Sequence, residues 1–282
     1  MVKNKHVSVF QSASRLSIPC SKILIFDSGV GGLSVYSELC KLLPKLNYLY
    51  VFDNVAFPYG EKSEEITTKR VVSIITAVIR LYSVSLVVIA CNSASIVSLP
   101  ELRSRFVCPI VGVVPAIKPA AQLTRNGVIG LLATRGTLQR SYTYNLIERF
   151  ASTCNIVMLG SKELVEIVES KLRGHLVSIK AVRDILEPWL FMSIPPDTVV
   201  LGCTHFSLIR DELKEVLPLG TKLIDSSLAI AKRIVFLLEN QLNAEISRTP
   251  NIALCLDLTP QARELIPTLQ SYGFDMLKRL IV

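Results

Sequence analysis

The chain has 282 residues, half of them apolar, and its charged residues make up 19% of the total and are interspersed along the sequence. This composition excludes disordered and fibrous classes and predicts a compact globular protein, either one large domain or two small ones. The formal net charge of +8 comes from scattered Lys and Arg rather than from a basic stripe. We therefore expect attraction of small anions such as carboxylates or phosphates, and no nucleic acid as the primary partner.

Seven cysteines lie far apart along the chain, and no CxxC pair occurs among them. This spacing argues against a disulfide framework and a structural zinc site, although Cys91, Cys203 and His205 could supply three zinc ligands. The first twenty residues are too broken and too polar for a secretory signal, which predicts a cytoplasmic protein. Residues 81–100 carry no charge, but their Asn92 and several serines favour a strand, loop and helix over a membrane span.

Short apolar runs alternate with helical patterns nearly throughout, which predicts mostly parallel sheets covered by helices. The first series predicts strands at 22–26, 47–52, 86–90 and 109–114, with a long amphipathic helix at 64–82. A second series predicts strands at 127–133, 155–159, 198–202 and 221–225, with a helix at 137–150 and two more within 161–190. A strand in 251–257 and a closing helix complete the chain.

The doubled layout predicts an α/β fold of two similar lobes, each a mostly parallel sheet covered by helices, with the active site in the cleft between them. We expect the first lobe to comprise residues 1–113 and 228–282, including an N-terminal extension at 1–21, and the second to comprise residues 114–227. Ligands of open α/β sheets bind beyond the carboxyl ends of the strands. Cys91 and Cys203 are therefore expected on opposite walls of the cleft.

Four polar clusters lie at the ends of predicted strands or in a turn: Asp27-Ser28, Pro58-Tyr59-Gly60, Cys91-Asn92-Ser93 and Cys203-Thr204-His205. Loop amides and hydroxyls of this kind suit a bound carboxylate, although each cluster alone has an ordinary explanation as a helix cap or packing group. A thiol at a helix N-terminus is expected to have a lowered pKa. Two facing thiols can act as base and acid on opposite faces of one carbon, which predicts inversion of a stereocentre in a small acid.

Six segments resemble the glutamate racemases of the cofactor-independent aspartate/glutamate racemase superfamily: FDSGVGGLSV, DNVAFPYGEKS, ACNSAS, VGVVPAIKPA, LLATRGT and LGCTHF. The resemblance extends over nearly the whole chain and fits the longer, proteobacterial branch. It implies interconversion of L-glutamate and D-glutamate without a cofactor, as a source of D-glutamate for peptidoglycan synthesis. It also implies a monomer or a homodimer.

The resemblance further implies that Cys91 removes the α-proton from D-glutamate and that Cys203 removes it from L-glutamate, with Asp27 and His205 assisting the respective thiols. The family's substrate-binding positions correspond here to Asp27, Ser28, Tyr59, Gly60, Asn92, Ser93, Thr204 and His205, and more loosely to Glu169 in ELVEIVE. Two residues depart from the usual pattern. Ser93 replaces a Thr and keeps its hydroxyl, and Ser207 stands where Pro is usual.

The N-terminal extension resembles the branch that UDP-N-acetylmuramoyl-L-alanine activates. In that branch an arginine and a neighbouring segment bind the activator, which here implies Arg103 together with Gly112, Val113, Val114, Pro115, Ala116, Ile117 and Lys118. A basic residue suits a diphosphate. The alternative is that this segment is only a strand and a turn.

Two other functions stay open at this point. One is a racemase of another small acidic amino acid, such as aspartate, or a hydantoin racemase. The second is a non-catalytic regulatory binding protein whose basic charge serves nucleic acid, which salt-sensitive DNA binding would reveal. A decarboxylase of the superfamily that keeps one cysteine is disfavoured, because Cys91 and Cys203 are both present.

Overall fold

The computed structural model describes residues 21–238 and 249–282, so nearly all of the predicted extension at 1–21 lies outside the described residues. The strands are β1 (Lys22–Asp27), β2 (Asn47–Phe52), β3 (Val84–Ile89), β4 (Ile110–Gly112), β5 (Val128–Ala133), β6 (Asn155–Gly160), β7 (Thr198–Leu201), β8 (Lys222–Ile224), β9 (Ile252–Cys255) and β10 (Met276–Arg279). Helices cover most of the remaining chain. They follow each of the first eight strands and connect β9 to β10.

These helices are α1 (Leu33–Leu42), α2 (Glu64–Leu81), α3 (Asn92–Arg105), α4 (Ile117–Leu123), α5 (Arg135–Gln139), α6 (Ser141–Ala151), α7 (Glu163–Leu172), α8 (Ile179–Leu190), α9 (Arg210–Val216), α10 (Ser227–Leu238), α11 (Pro260–Arg263) and α12 (Ile266–Ser271). Two short 3₁₀ helices span Tyr59–Glu61 and Thr204–Ile209. No helix in the described ranges is both long enough and apolar enough to cross a membrane.

The strands form two sheets in which every observed pairing is parallel, so the predicted α/β class is confirmed. The first sheet has the order β10-β9-β2-β1-β3-β4, and the second has the order β6-β5-β7-β8. The chain therefore builds most of the first sheet, then the second, and returns to the first with β9 and β10. The lobe boundaries themselves stay a prediction.

Burial of the central strands explains why they appear as continuous apolar runs. All six residues of β1 are buried, since helices cover both faces of a parallel sheet. Successive side chains point to opposite faces, so Ile23 and Ile25 pack in one core cluster while Leu24 and Phe26 pack in another. A third cluster, around Ile129 and Leu131, belongs to the second sheet.

Two details of the predicted elements are wrong. The helix predicted at 137–150 is divided into α5 and α6, because Arg140 has an extended backbone, with φ of −75° and ψ of 134°. The sequence also gives no indication of β10, an exposed edge strand that pairs with β9. Its MLKR sequence has no clear apolar alternation, and charged residues of this kind are common on sheet edges.

Candidate active site

A cavity lies where the carboxyl ends of the two sheets face each other. Parallel strands bring their carboxyl ends to one edge of the sheet. Asp27 ends β1, and Cys91, Thr134 and Cys203 follow β3, β5 and β7. The complete lining is Asp27, Ser28, Phe57, Pro58, Tyr59, Gly60, Cys91, Asn92, Ser93, Thr134, Val165, Gly202, Cys203 and His205. The structure therefore brings the two cysteines of the matched motifs together in one cavity.

Cys91 occupies the N-cap position of α3 and is surrounded by hydroxyl and carboxyl groups. Its sulfur lies 3.6 Å from Ser28 Oγ, and the Ser28 amide donates to Asp27 Oδ1 at 2.5 Å. Burial raises the pKa of the Cys91 thiol, and the nearby Asp27 charge raises it further. The expected lowering by the helix N-terminus is therefore wrong for Cys91, because desolvation outweighs it.

Asp27 connects the first cysteine loop to the second. Its Oδ2 accepts a hydrogen bond of 3.1 Å from Thr204 Oγ1, which lies directly after Cys203 in the chain. Burial raises the pKa of Asp27, although the charge of His205 and the hydrogen bonds from Ser28 and Thr204 lower it in part. The side chain is thus a buried carboxyl group with an increased tendency to hold a proton.

Cys203 has charged partners of a different kind. Its sulfur lies 3.6 Å from His205 Nδ1, and His205 Nε2 donates to Glu169 Oε1 at 2.9 Å. The Val30 amide donates to the same oxygen at 2.9 Å, and Arg173 Nη2 donates to Glu169 Oε2 at 2.8 Å. A continuous hydrogen-bonded series therefore extends from the second thiol to Arg173, the residue directly after α7.

The charges in this series stabilise one another. Burial by itself lowers the pKa of His205, but the hydrogen bonds to Cys203 and Glu169 raise it well above its ordinary value. Burial raises the pKa of Glu169, but His205, the Val30 amide and Arg173 outweigh this effect and keep it below its ordinary value. The pair is accordingly an imidazolium and a carboxylate.

A third wall is formed by the FPYG turn. The Phe57–Pro58 peptide bond is cis, and Tyr59 Oη donates to Asp53 Oδ2 at 2.6 Å. Asp53 is fully buried and also accepts two hydrogen bonds from Arg70, at 2.6 and 2.8 Å. The carboxylate and guanidinium together hold the tyrosine ring in place beside the cavity.

Small residues and hydroxyl groups allow the two lobes to approach closely beside this turn. Ser93 Oγ lies 3.2 Å from Thr134 Oγ1 and 3.1 Å from Thr137 Oγ1, so first-lobe and second-lobe hydroxyls are in direct contact. A Cβ added at Gly60 would lie 2.6 Å from Thr134 Cβ. Glycine is therefore required at this position by the packing of the two loops.

Asn92 has a buried polar atom that faces no partner within the chain. The residue is 4% exposed and lines the cavity, and its Oδ1 has no hydrogen-bond donor among the described residues. Buried acceptors are nearly always paired, and an unpaired one costs free energy. The atom is therefore suited to accept a hydrogen bond from a molecule bound in the cavity.

The family model of the Asp/Glu/hydantoin racemases matches residues 23–234 of this chain. The chain belongs to this racemase family. A glutamate racemase of Erwinia tasmaniensis is 65% identical over 258 residues, which cover 92% of this chain and 91% of that protein. A glutamate racemase of Salmonella paratyphi A is 61% identical over 270 residues, or 96% of this chain and 95% of that protein.

The fold of the racemase agrees with solved structures. The crystal structure of Escherichia coli glutamate racemase in complex with L-glutamate and the activator UDP-MurNAc-Ala matches with a TM-score of 0.90 at 60% identity, over 94% of this chain and 99% of that chain. Glutamate racemase isoform RacE1 from Bacillus anthracis matches with a TM-score of 0.76 at 25% identity, over 92% and 97% of the respective chains. The chain is accordingly an isomerase.

Two of the substrate-binding residues predicted for the racemase do not line the cavity. Glu169 lies behind His205, and Thr204 contacts Asp27 instead. Conversely, seven residues that line the cavity or support its lining were not predicted as site residues: Asp53, Phe57, Arg70, Thr134, Val165, Arg173 and Gly202. Thr134 could have been found, because it follows a predicted strand just as the two cysteines do.

The residues predicted to bind an activator lie away from the cavity between the thiols. Arg103 is exposed on α3, and its guanidinium donates to the Ile110 carbonyl at 3.3 and 3.2 Å. The Val113 amide donates to Ile89 O at 3.1 Å and to Ser95 Oγ at 3.0 Å. The start of the segment is thus fixed to the first sheet.

The rest of the segment passes from β4 to α4. The Val114 carbonyl accepts a hydrogen bond from Ser226 Oγ, which joins the two chain crossings between the sheets. Pro115, Ala116 and Ile117 are buried, whereas Lys118 is exposed and its ammonium lies 5.6 Å from the centre of the Phe150 ring. An activator-binding role for these residues stays a prediction.

The zinc alternative for the racemase receives no support from the geometry. Within residues 21–238 and 249–282, no three His, Cys, Asp or Glu side chains are grouped so that they could hold a metal ion. Cys91, Cys203 and His205 line one cavity, but they do not form such a group.

Proposed function

We propose that this enzyme is a glutamate racemase, which interconverts L-glutamate and D-glutamate by proton transfer at two thiols without a cofactor. The observation that carries the proposal is that Cys91 and Cys203 line one cavity from different sheets, each with its own acid–base partner. Relatives named glutamate racemase, among them one that is 65% identical, support glutamate as the substrate. The D-glutamate formed supplies peptidoglycan synthesis and so contributes to cell shape.

The two thiols have complementary roles in this mechanism. The His205 imidazolium, held by Glu169, stabilises the thiolate of Cys203, which takes the α-proton of L-glutamate. The neutral Cys91 thiol then donates its proton to the opposite face of the carbanion and becomes a thiolate. In the reverse direction the Cys91 thiolate takes the α-proton of D-glutamate and the Cys203 thiol donates, so that the two directions are symmetric in atoms and charge.

Asp27 supports the first thiol in both directions. Because burial raises the pKa of its carboxyl group, Asp27 can accept the proton that Cys91 must lose before it can act as the base. The α-ammonium group of the substrate contributes a positive charge beside these groups and favours ionisation of the thiol. Binding of the substrate thus prepares Cys91 for D-glutamate.

The other lining residues hold the substrate. Asn92 Oδ1, which has no donor within the described chain, accepts a hydrogen bond from the ammonium group. The hydroxyls of Ser28, Ser93 and Thr134 and the amides of the FPYG turn donate to the two carboxylates. Thr204 and Glu169, which do not line the cavity, position these groups and the thiols.

The same proposal includes regulation, location and assembly. The E. coli relative was crystallised with L-glutamate and UDP-MurNAc-Ala, and we infer that this chain takes the same activator at Arg103 and residues 112–118. The widely spaced free cysteines of the described chain suit a reducing cytoplasm. Sheet membership supports lobes of residues 1–113 with 228–282 and of residues 114–227, in a monomer or homodimer.

Proton NMR in D₂O tests the reaction directly. L-glutamate is incubated with the enzyme, with and without UDP-N-acetylmuramoyl-L-alanine, and L-aspartate is treated in parallel. The expected result is loss of the glutamate α-proton signal together with formation of D-glutamate, and none of this with aspartate. Cys91→Ser and Cys203→Ser should each abolish racemisation, whereas Cys154→Ser, at a partly buried cysteine outside the cavity, should not.

Other outcomes identify the alternatives. Exchange with aspartate but not glutamate would replace the substrate and keep the two-thiol mechanism. Full activity in both Cys91→Ser and Cys203→Ser would overturn the mechanism. No exchange in any sample, combined with salt-sensitive binding of duplex DNA, would support the regulatory binding protein instead.

A further inference from the structure

The hydrogen-bonded series behind Cys203 ends at Arg173, a residue outside the cavity lining. His205 Nδ1 lies 3.6 Å from Cys203 Sγ, His205 Nε2 is 2.9 Å from Glu169 Oε1, and Arg173 Nη2 is 2.8 Å from Glu169 Oε2. We propose that Arg173 is a positioning residue for the Cys203 half of the reaction and acts through Glu169 and His205. The inference rests on the proposed function.

The geometry shows how Arg173 orients the Glu169 carboxylate. Oε1 receives both His205 and the Val30 amide, while Oε2 receives Arg173. Arg173 and Glu169 are four residues apart at the C-terminal end of α7, so their side chains meet on one helix face. With both oxygens bonded, the carboxylate cannot rotate away from His205, and the imidazole in turn stays directed at the thiol.

Charge gives Arg173 a second effect on the same groups. The side chains of His205 and Glu169 are only 3% and 7% exposed, and burial disfavours charged groups. Transfer of the proton from His205 to Glu169 would therefore give an alternative state in which both groups are neutral. The Arg173 guanidinium favours the ionised carboxylate and therefore keeps the proton on His205. Without it, the proton moves toward Glu169, and the Cys203 thiolate loses its cationic neighbour.

Arg173 is itself anchored from the opposite lobe. Its Nε donates to the Gln261 carbonyl at 3.3 Å, in α11 between the two last strands of the first sheet. Its side chain is 22% exposed and, with Glu169, lines a separate cavity. Arg173 is thus held by Glu169 on one side of its guanidinium and by the α11 backbone on another.

The reaction itself provides a test that is specific to one thiol. Since two enantiomers have equal free energies, kcat/KM must be the same in both directions for every variant, and rate alone does not separate the half-reactions. The primary deuterium isotope effect on kcat/KM does separate the two half-reactions. In a stepwise reaction, slower proton transfer at Cys203 makes that transfer more rate-limiting. The isotope effect then rises with [2-²H]-L-glutamate, whose deuteron Cys203 removes. It falls with [2-²H]-D-glutamate, because removal of that deuteron by Cys91 becomes less rate-limiting.

Arg173→Met is therefore expected to lower kcat/KM by roughly tenfold, as the loss of one charge-assisted hydrogen bond implies. Its isotope effect on kcat/KM should rise with [2-²H]-L-glutamate and fall toward unity with [2-²H]-D-glutamate. Arg173→Lys, which keeps the charge, should recover part of the rate and of the isotope pattern. Lys180→Met, which removes the exposed cation of another i,i+4 pair, should match the wild type.

A spectroscopic measurement on the resting enzyme is independent of turnover. The chain contains three histidines, so ¹⁵N-histidine labelling gives a simple spectrum in which His205→Asn assigns the His205 signals. As the pH is raised, the imidazolium signal of His205 should disappear at a lower pH in Arg173→Met than in the wild type or Lys180→Met. If Arg173→Met does not fold, the same two measurements on Arg173→Lys decide the question.

Failure of the inference is distinguishable from failure of the proposed function. If the wild type does not exchange the α-proton of glutamate, the proposed function is wrong. If the wild type racemises glutamate but Arg173→Met resembles Lys180→Met, or changes both isotope effects equally with no change at His205, the positioning role of Arg173 is wrong.

Discussion

The two thiols of the cavity occupy similar places in the fold but have different surroundings. Cys91 and Cys203 each follow a strand, one after β3 and the other after β7, and each is followed by two polar residues. Cys91 lies beside the Ser28 hydroxyl and the buried carboxyl group of Asp27. Cys203 lies beside the His205 imidazolium, which a carboxylate and an arginine support.

The difference shows that a doubled backbone layout does not require a doubled electrostatic environment. Burial and a neighbouring acid raise the pKa of the Cys91 thiol, so the proton-bearing form is favoured there. Cys203 has the His205 side chain as its neighbour instead, and hydrogen bonds to Cys203 and Glu169 raise the pKa of that imidazole well above its ordinary value. In the proposed mechanism, Cys91 donates a proton to one face of the substrate carbon and Cys203 removes one from the other face when L-glutamate is the substrate.

The largest expected effect comes from replacing the acid–base partner of each thiol. Asp27→Asn and His205→Asn should each lower kcat/KM by about 10²- to 10⁴-fold, the usual contribution of a general acid or base. The two variants should change the isotope effects on kcat/KM in opposite ways. The isotope effect with [2-²H]-D-glutamate should rise in Asp27→Asn, whereas the isotope effect with [2-²H]-L-glutamate should rise in His205→Asn. Equal isotope patterns in the two variants would show that neither residue serves one particular thiol.

The contrast between the thiols also marks the limit of what the sequence predicts. Strands and helices were predicted well where their apolar runs are long and buried, as in β1 and β2, since periodicity directly reflects burial. The cysteines and the FPYG turn were identified because they follow such runs. Positions at strand ends can be inferred from the parallel topology alone, without any coordinates.

Charged partners could not be predicted in the same way. Glu169 was assigned loosely to the substrate, and Arg173 was not selected, because a helical Glu and Arg four residues apart are usually a surface pair. The thiol pKa at Cys91 was expected to fall, since the helix terminus is visible in sequence while desolvation is not. Such effects depend on burial in three dimensions, which one-dimensional spacing does not contain.

The second expected effect concerns the pH dependence of stability, and it distinguishes the charged groups beside Cys203 from the groups beside Cys91. The folded pKa of Glu169 lies below its ordinary value of 4.5, so its stabilisation is present above that pH and is lost as pH falls further. The folded pKa of His205 lies well above its ordinary value of 6.5, so its stabilisation is present below that pH and is lost as pH rises through the folded pKa.

The pair therefore stabilises the fold most between these two ordinary values. Glu169→Gln should lower the free energy of unfolding by about 3–5 kcal/mol near pH 6, because it leaves a buried charge without its partner. The deficit should shrink at alkaline pH, where His205 is neutral. Urea unfolding at both pH values measures this, with Glu166→Gln, on the exposed face of α7, as the control. A deficit that does not depend on pH would mean that the contribution of the pair is packing alone.

A smaller effect is expected from packing near Cys91. In Gly60→Ala the new Cβ would lie 2.6 Å from Thr134 Cβ, so the two loops must separate. Such overpacking costs about 1–3 kcal/mol of stability, and KM for glutamate should rise because the turn lines the cavity. Gly160→Ala, whose nearest contact would be 3.1 Å from Arg135 Cγ, is the control and should be milder in urea unfolding and in KM. Equal effects would indicate that the loops adjust freely.

The smallest effect is expected at Ser207, the residue that stands where its family usually has Pro. Its hydroxyl donates to Asp225 Oδ2 at 3.0 Å, and Asp225 also receives Arg210 and the Ser227 amide. In Ser207→Ala, Asp225 therefore keeps two partners, and the loss should be below about 1 kcal/mol, with unchanged kcat.

Asp225→Asn is the informative partner of this variant, because it removes the charge that holds Arg210. It should cost more stability than Ser207→Ala and still leave both isotope effects unchanged, since the Asp225 contacts lie outside the Cys203–His205–Glu169 series. If Ser207→Ala instead changes the isotope effect with [2-²H]-L-glutamate, Asp225 belongs to the charged groups that influence the second thiol. The second site would then depend on the turn after His205, and the contrast with the Cys91 site would be larger than the direct contacts of the two sulfur atoms indicate.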